Sequence, residues 1–308
     1  MHGLQALLAF SETAKRGGFA SAARELGTSS SALAKSVGRL EDSLGLRLFH
    51  RTTRRVTLTV DGERLFRRCQ RVLAELDELQ SEALGVRSAP SGTLRINMPI
   101  VFGRMFVLPV LARLAAQYPG LEIDARFSDA YVDLVQDGID VAIRAGDLQD
   151  STLVARRFAS QQLVLVAAPS YLQVNGEPKA IEDLSAHRHI LFRMPTTGRD
   201  RPQQFTVRRK TISLHPAHGT RLNDGEAMVQ AAVLGMGLTQ VPDYMAVADI
   251  AAGRLVEVMA QHRPPAMPIH AVMPGHRMVP PRVRVLIDAL EASPQGFVRN
   301  GNKMKLNL

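Results

Sequence analysis

The sequence predicts a multidomain chain: a small, mostly helical N-terminal domain ending in a hairpin, one long linker helix, and a larger α/β domain of two lobes. Three observations carry this expectation. Short amphipathic segments punctuated by glycines fill the first sixty residues. An apolar heptad runs from Asp61 to about Val86, and strand and helix patterns alternate from Thr93 onward. With 308 residues, 45% apolar and 22% charged, the composition is that of folded globular domains and excludes general disorder. The boundaries read as 1–60, 61–88 and 89–298, the last split into lobes at about 92–162 with 268–295, and 163–267.

Leu4, Leu7, Leu8 and Phe10 open the first helix, which Gly17 and Gly18 stop. Phe19 to Leu26 forms a short second helix whose alanines permit close packing, with Gly27 at its C′ position. Ser29 caps a third helix, on which Leu33, Val37, Leu40 and Leu44 recur at four, three and four to make one buried stripe. Two helices joined by a short glycine-containing turn form a helix-turn-helix unit, whose second helix suits a major groove. The opposite face of that helix presents Ser31, Lys35 and Arg39. The next segment, Arg47 to Thr59, alternates like a strand near its end and carries Arg51, Thr52, Thr53, Arg54 and Arg55 at a tip. A hairpin with such a tip suits phosphates or an adjacent minor groove.

Charge points the same way. The chain carries +9 overall, and residues 1–60 hold nine basic side chains against four acidic ones. Such an excess favours an acidic partner, of which nucleic acid is the commonest. The N-terminus lacks the charged start, apolar stretch and cleavage site of an export signal, and the apolar runs Leu163–Ala168 and Ala231–Leu234 are far below the ~20 residues of a membrane span. A cytoplasmic protein without membrane contact is expected. One cysteine, Cys69, excludes an internal disulfide and CxxC spacing.

In the linker, Leu65, Cys69, Val72, Leu76, Leu79 and Ala83 form a heptad seam over about 40 Å of helix. Such a seam wants a partner helix, and the competing reading is a helix packed within its own chain. Cys69, on that seam, reads as packing rather than as a redox sensor. Ser88 to Gly92 is a hinge by composition. Beyond it come strand Thr93–Met98, helix Gly103–Tyr118, strand Leu121–Phe127, helix Tyr131–Asp137 and strand Ile139–Arg144, implying a parallel sheet. A second series follows: strands Leu163–Ala168 and Phe205–Val207, helix Gly225–Leu234 and strand Leu238–Val241. Strand Ile269–Met273 and helix Pro281–Leu290 return to the first lobe if two strands cross between lobes.

The string Phe19-Ala20-Ser21-Ala22-Ala23-Arg24-Glu25-Leu26, then Ser29-x-x-Ala32-Leu33, then Leu40-Glu41-x-x-Leu44-Gly45-x-x-Leu48-Phe49-x-Arg51, resembles the winged helix-turn-helix of the LysR-type transcriptional regulators. The resemblance extends essentially end to end. It implies DNA contact by Ser29, Ser30, Ser31, Ala34, Lys35, Arg39, Arg51, Thr52, Arg54 and Arg55, and antiparallel pairing of linker helices. It implies a C-terminal domain of the type II periplasmic-binding-protein-like kind with a small-molecule effector between its lobes. It further implies a homo-oligomer, dimeric and beyond that tetrameric, acting on promoter DNA together with RNA polymerase. Ser30-Ser31 stands where the family commonly has Gln-Pro or Gln-Ser. Serine cannot read adenine bidentately as glutamine can, so the base code is expected to differ. Gly38 costs the third helix about 1 kcal/mol of propensity.

Ligands in such sheets sit at the carboxyl ends of strands, between lobes. That rule nominates Pro99, Ile100, Val101 and Phe102, before a helix starting near Gly103 whose free amides suit an anion. It also nominates Ser128, Arg144, Asn223, Gly225 and Pro242. Arg144 has Asp140 and Asp147 as alternative partners. The resemblance implies Ser or Thr contacting an effector carboxylate at the first of these loops; Pro99-Ile100-Val101 stands there instead, which implies a more apolar ligand or a weaker one. Enzyme readings find little chemistry. Gly235-Met236-Gly237 lies between helix and strand, the reverse of a dinucleotide loop, and there is no GxSxG or Walker loop. His187-Arg188-His189 and His215-x-x-His218 lack the further ligands of a metal site. No cofactor is expected. A solute-binding protein without DNA function is the alternative, and it leaves the basic domain and the seam unused.

Overall fold

The computed structural model describes residues 2–51, 56–83, 89–146, 153–275 and 279–293. The chain divides into two compact units, Met1–Ala89 and Pro90–Leu308.

In the first unit α1 (His2–Arg16), α2 (Phe19–Glu25) and α3 (Ser30–Leu44) precede the antiparallel strands β1 (Phe49–Arg51) and β2 (Val56–Leu58) and helix α4 (Val60–Ala83). Ser29 caps α3 by accepting from the Ala32 amide at 3.2 Å, and Gly45 closes it in the left-handed region at φ 64°. Leu33, Val37 and Leu40 are buried as their spacing requires. Leu44 is 45% exposed, because α3 ends there and the chain turns away at Gly45. The core closes around Phe10, whose ring lies 5.3 Å from Phe49 and 6.4 Å, edge-on, from Phe66 of α4.

The second unit contains two mixed sheets. Its strands are β3 (Gly92–Met98), β4 (Leu121–Phe127), β5 (Val141–Ala145), β6 (Leu153–Gln161), β7 (Leu163–Ala167), β8 (His189–Phe192), β9 (Gln203–Val207), β10 (Lys210–Leu214), β11 (Thr220–Leu222), β12 (Leu238–Pro242), β13 (Val256–Val258) and β14 (Met267–Pro274). Among the described residues one sheet has the order β4-β3-β5-β14-β6 and the other β11-β8-β12-β7-β13, while β9 and β10 form a separate hairpin. The parallel sheet expected from the sequence holds for β3 with β4 and β5, and for β8 with β11 and β12. Strand β14 is antiparallel to both its neighbours, as is β7. The reason is connectivity: the chain leaves the first lobe through β6 and re-enters through β14 running the other way, so the returning strand pairs antiparallel.

Three further differences are local. The helix expected from Gly103 starts at Ile100 and runs to Gln117, with a π-helical turn at Gly103–Val107. It is long and apolar enough to cross a membrane by composition, at a mean hydropathy of 1.5 over 18 residues. Val101, Phe102, Val107, Val110, Leu111 and Leu114 are instead buried in the core of the first lobe, making it a core helix. The segment expected as helix Tyr131–Asp137 holds only a turn: Asp133 accepts from the amides of Val135 and Gln136, both at 2.9 Å, and Gly138 at φ 66° ends it. Strand β6 was not anticipated; its Arg156 and Arg157 interrupt any apolar alternation, and an eight-pair ladder with β14 defines it instead.

Candidate functional site

Two places gather the candidate residues. On α3, Ser30, Ser31, Lys35 and Arg39 are exposed and Ala34 is half-buried, opposite the buried stripe. Ser29 is occupied as the cap, and its hydroxyl lies 3.1 Å from that of Ser31, so it shapes the helix start and leaves reading to its neighbours. Arg51 ends β1, with its side chain outside the described ones; Thr52, Arg54 and Arg55 lie outside the described residues altogether.

Sequence reasoning missed what aims this face. Glu41, on the inner side of α3, is 2% exposed and accepts from the amides of Leu48 at 2.8 Å and Phe49 at 3.3 Å. It thereby fixes the start of the hairpin to the third helix. Thr59 fixes the other end: its hydroxyl donates to the Arg47 carbonyl at 2.6 Å and accepts from the Gly62 amide at 2.9 Å. The only signal for either was a carboxylate falling on an apolar face and a threonine at a helix start.

The linker seam needs correction. Cys69 is 2% exposed within its own chain, in the core that contains Phe10 and Phe49, and Leu65 packs on the same cluster. Cys69 is therefore intrachain core, whereas Leu65 is half-buried and keeps part of its surface. Burial pushes the Cys69 thiol up to about 11, which keeps it protonated and unreactive. Val72 is 43% exposed and Leu76 half-buried, whereas the side chains of Leu79 and Ala83 lie outside the described ones.

In the second unit a cavity of about 660 Å³ opens between the two sheets, within the range of small-molecule sites. Pro99, Phe102, Ser128, Arg144, Gly225 and Pro242 line it as the strand-end rule expects. Ile100, Val101 and Asn223 do not; Val101 turns into the core at 4% exposure. Asp129, Tyr131, Arg201, Gln161 and Tyr244 line it without having been nominated. The amide of Ile100, expected to be free for an anion, already donates to the Asp129 carboxylate at 3.3 Å. Asp224 likewise caps the helix Gly225–Val233 through the Ala227 amide at 2.8 Å.

The alternative pairing of Arg144 with Asp140 does not form: Asp140 accepts from the Arg95 amide at 2.8 Å and meets Arg282 at 3.2 Å, and Asp147 lies outside the described residues. Arg144 sits 5.4 Å over the Tyr131 ring instead. Burial pulls both Arg144 and Arg201 below the ordinary arginine value and pushes the Asp129 carboxyl up. The lobes also meet at the cleft mouth, where Arg104 pairs with Glu226 and the Tyr131 amide donates to the Thr196 hydroxyl at 2.7 Å. The first histidine pair is structural: His189 bonds the Leu184 carbonyl at 2.8 Å and His187 lies 3.2 Å from the Tyr171 hydroxyl. Among the described residues no group of three His, Cys, Asp or Glu is placed to hold a metal.

Residues 4–63 match the family model described as bacterial regulatory helix-turn-helix protein, lysR family, and residues 87–295 match the LysR substrate binding domain. The chain belongs to the LysR family. This LysR-type regulator is 36% identical over 290 residues to the HTH-type transcriptional regulator DmlR of Escherichia coli, covering 93% of each chain. It is 31% identical to the HTH-type transcriptional regulator CrgA of Neisseria meningitidis over 92% of this chain and 94% of that one. The solved structure of CrgA superposes with a TM-score of 0.57 at 30% identity, covering 93% of this chain and 97% of that one. Full-length AphB, a Vibrio cholerae virulence activator, gives 0.57 at 28% identity, covering 93% of this chain and 98% of that one. The LysR-type regulator is therefore a DNA-binding transcriptional regulator with an effector-binding domain, and not an enzyme. Nothing supports the solute-binding alternative.

Proposed function

We propose that α3 enters the major groove of promoter DNA with Ser30, Ser31, Ala34, Lys35 and Arg39 toward base edges and phosphates. The hairpin tip with Arg51, Thr52, Arg54 and Arg55 then lies on the adjacent backbone or minor groove. The observation that carries this reading is the exposure of Lys35 and Arg39 opposite the buried Leu33, Val37 and Leu40. A small effector in the inter-lobe cleft favours one lobe arrangement and so shifts how the regulator engages DNA. The family supports a homo-oligomer, with tetramers and contact to RNA polymerase as the finer expectation, acting in the cytoplasm where its DNA is.

The test is titration of the full-length protein against DNA flanking its own coding region and a scrambled duplex, at several salt concentrations. Specific binding typically exceeds non-specific binding by ~10³ or more. Lys35→Ala and Arg39→Ala each lower affinity for the specific site. A lost phosphate contact cuts the salt slope by about 1, and a lost base contact costs about 1–3 kcal/mol. Unchanged affinity in both variants at fixed salt refutes the assignment of α3.

The dimer contact begins, on this reading, at Val72 and includes Leu76, beyond the turns that Leu65 and Cys69 bury in their own core. Leu76→Glu converts the protein to smaller species in light scattering, while its thermal transition holds. A variant of unchanged mass shows that the helices pair elsewhere.

A further inference from the structure

Two guanidinium groups line the inter-lobe cleft with no carboxylate ion pair among the described residues. Arg144 donates from Nη1 to the Ile143 carbonyl at 3.0 Å, while its Nη2 is buried with no hydrogen-bond partner. Arg201 is anchored through its amide to the Phe192 carbonyl at 2.8 Å, and its Nη2 reaches only the sulfur of Met267 at 3.7 Å. Two described acids close to them in sequence, Asp200 and Asp140, are engaged elsewhere. Asp200 holds Arg221 at 2.8 Å and Arg193 at 3.3 Å, and Asp140 holds Arg282 and the Arg95 amide.

Asp129 is the one acidic side chain lining the cleft among the described residues, and its charge is felt at both arginines. Its carboxylate accepts from the Ile100 amide, so the first amide of that helix already has an acceptor. Among the described residues, two cations against one anion leave the cleft wall with an excess of one positive charge. A buried cation lacking a partner is costly to a folded protein unless something else supplies the counter-charge. Most of the remaining wall is apolar and adaptable: Phe102, Met194, Met228, Met245 and Tyr244.

We propose that Arg144 and Arg201 jointly hold the carboxylate of a small organic monoanion whose apolar body lies against Met194, Met228 and Met245. This rests on the reading of the cleft as the effector site and names the chemical class that the site takes. Planar, multi-donor guanidinium groups match a carboxylate where a lysine would offer a point charge. The arginines take the role that the sequence had assigned to the helix start, and the ligand is anionic rather than merely apolar.

The experiment uses the full-length protein with benzoate and its uncharged isostere benzamide as probes, read by thermal melting and by titration. Benzoate raises the melting temperature and benzamide does not. Arg201→Met and Arg144→Gln weaken benzoate by about tenfold or more, as expected for loss of a charged hydrogen bond. Without ligand, Arg201→Met keeps at least the parent melting temperature, because the half-buried guanidinium it removes reaches only the Met267 sulfur among the described residues; this separates loss of binding from loss of folding. A benzoate response retained in both arginine variants overturns the proposal, as does no response of the parent to benzoate at millimolar concentration.

Two outcomes separate this proposal from the effector reading beneath it. If both probes bind equally and Thr211→Trp, placed in the cleft at an exposed strand position, abolishes both, the cleft remains the ligand site and the anionic class falls. If benzoate binds through the arginines yet leaves DNA affinity and footprint unchanged, the ligand class stands and the effector reading falls.

Discussion

Glu41→Ala lowers the stability of the N-terminal unit by about 2–5 kcal/mol and abolishes specific DNA binding with it. The change strands two buried amides, those of Leu48 and Phe49, each costing about 1–3 kcal/mol when left without an acceptor. The nearby Arg47 lies 3.5 Å from Glu41 but is 78% exposed, so that ion pair adds little. Glu41→Gln keeps one acceptor oxygen and should lose less than alanine does. Denaturant unfolding of the full chain, read by a probe in the first unit, orders the three proteins as parent, Gln, Ala. An alanine variant with parental stability and DNA affinity shows that the hairpin is held to α3 by packing alone.

Gly62→Ala has the opposite sign from the same change at Gly38, although both glycines sit in helices. A methyl group at Gly62 meets the Leu48 carbonyl oxygen at 2.1 Å and Leu58 Cδ2 at 3.1 Å. That carbonyl is fixed backbone, since it accepts from the Thr59 amide at 3.0 Å, so the start of α4 must lift off the hairpin. Overpacking of this kind costs about 1–3 kcal/mol, more than the ~1 kcal/mol of helix propensity regained. At Gly38 nothing lies within 4 Å of the added methyl, so Gly38→Ala gains up to about 1 kcal/mol. Parallel melts of the two variants decide it, and two shifts of the same sign refute the close-approach account of Gly62.

What the sequence made legible was local. Caps, the left-handed glycines and the stripe Leu33, Val37 and Leu40 follow from spacing within one helix. The heptad through Leu65 and Cys69 was legible as a buried line, but periodicity names a face and not what covers it; here Phe10 and Phe49 do. The segment Tyr131–Asp137 reads as a helix between two strands, whereas Asp133 accepts from the nearby Val135 and Gln136 amides and ends it after one turn. In the cleft, residues at strand ends were found by topology: Pro99, Ser128 and Pro242. Arg201 was not, because it follows a loop with no local signature and reaches the cleft only through pairing with Phe192. Its chemistry becomes visible only when it is set beside Arg144, 57 positions earlier in the chain.

The paired crossing of β6 and β14 has a mechanical consequence. Gln161 and Met267 are register partners at the point where the chain leaves and re-enters the first lobe, and Gln162 ties across to the Pro264 carbonyl at 2.7 Å. A single connecting strand is a swivel, but two hydrogen-bonded strands side by side form a ribbon that flexes about one axis and resists torsion. Gln161 and Met267 also belong to the wall of the cavity. A guest filling that cavity would touch the axle as well as both lobes, so its size would bear on the angle between them.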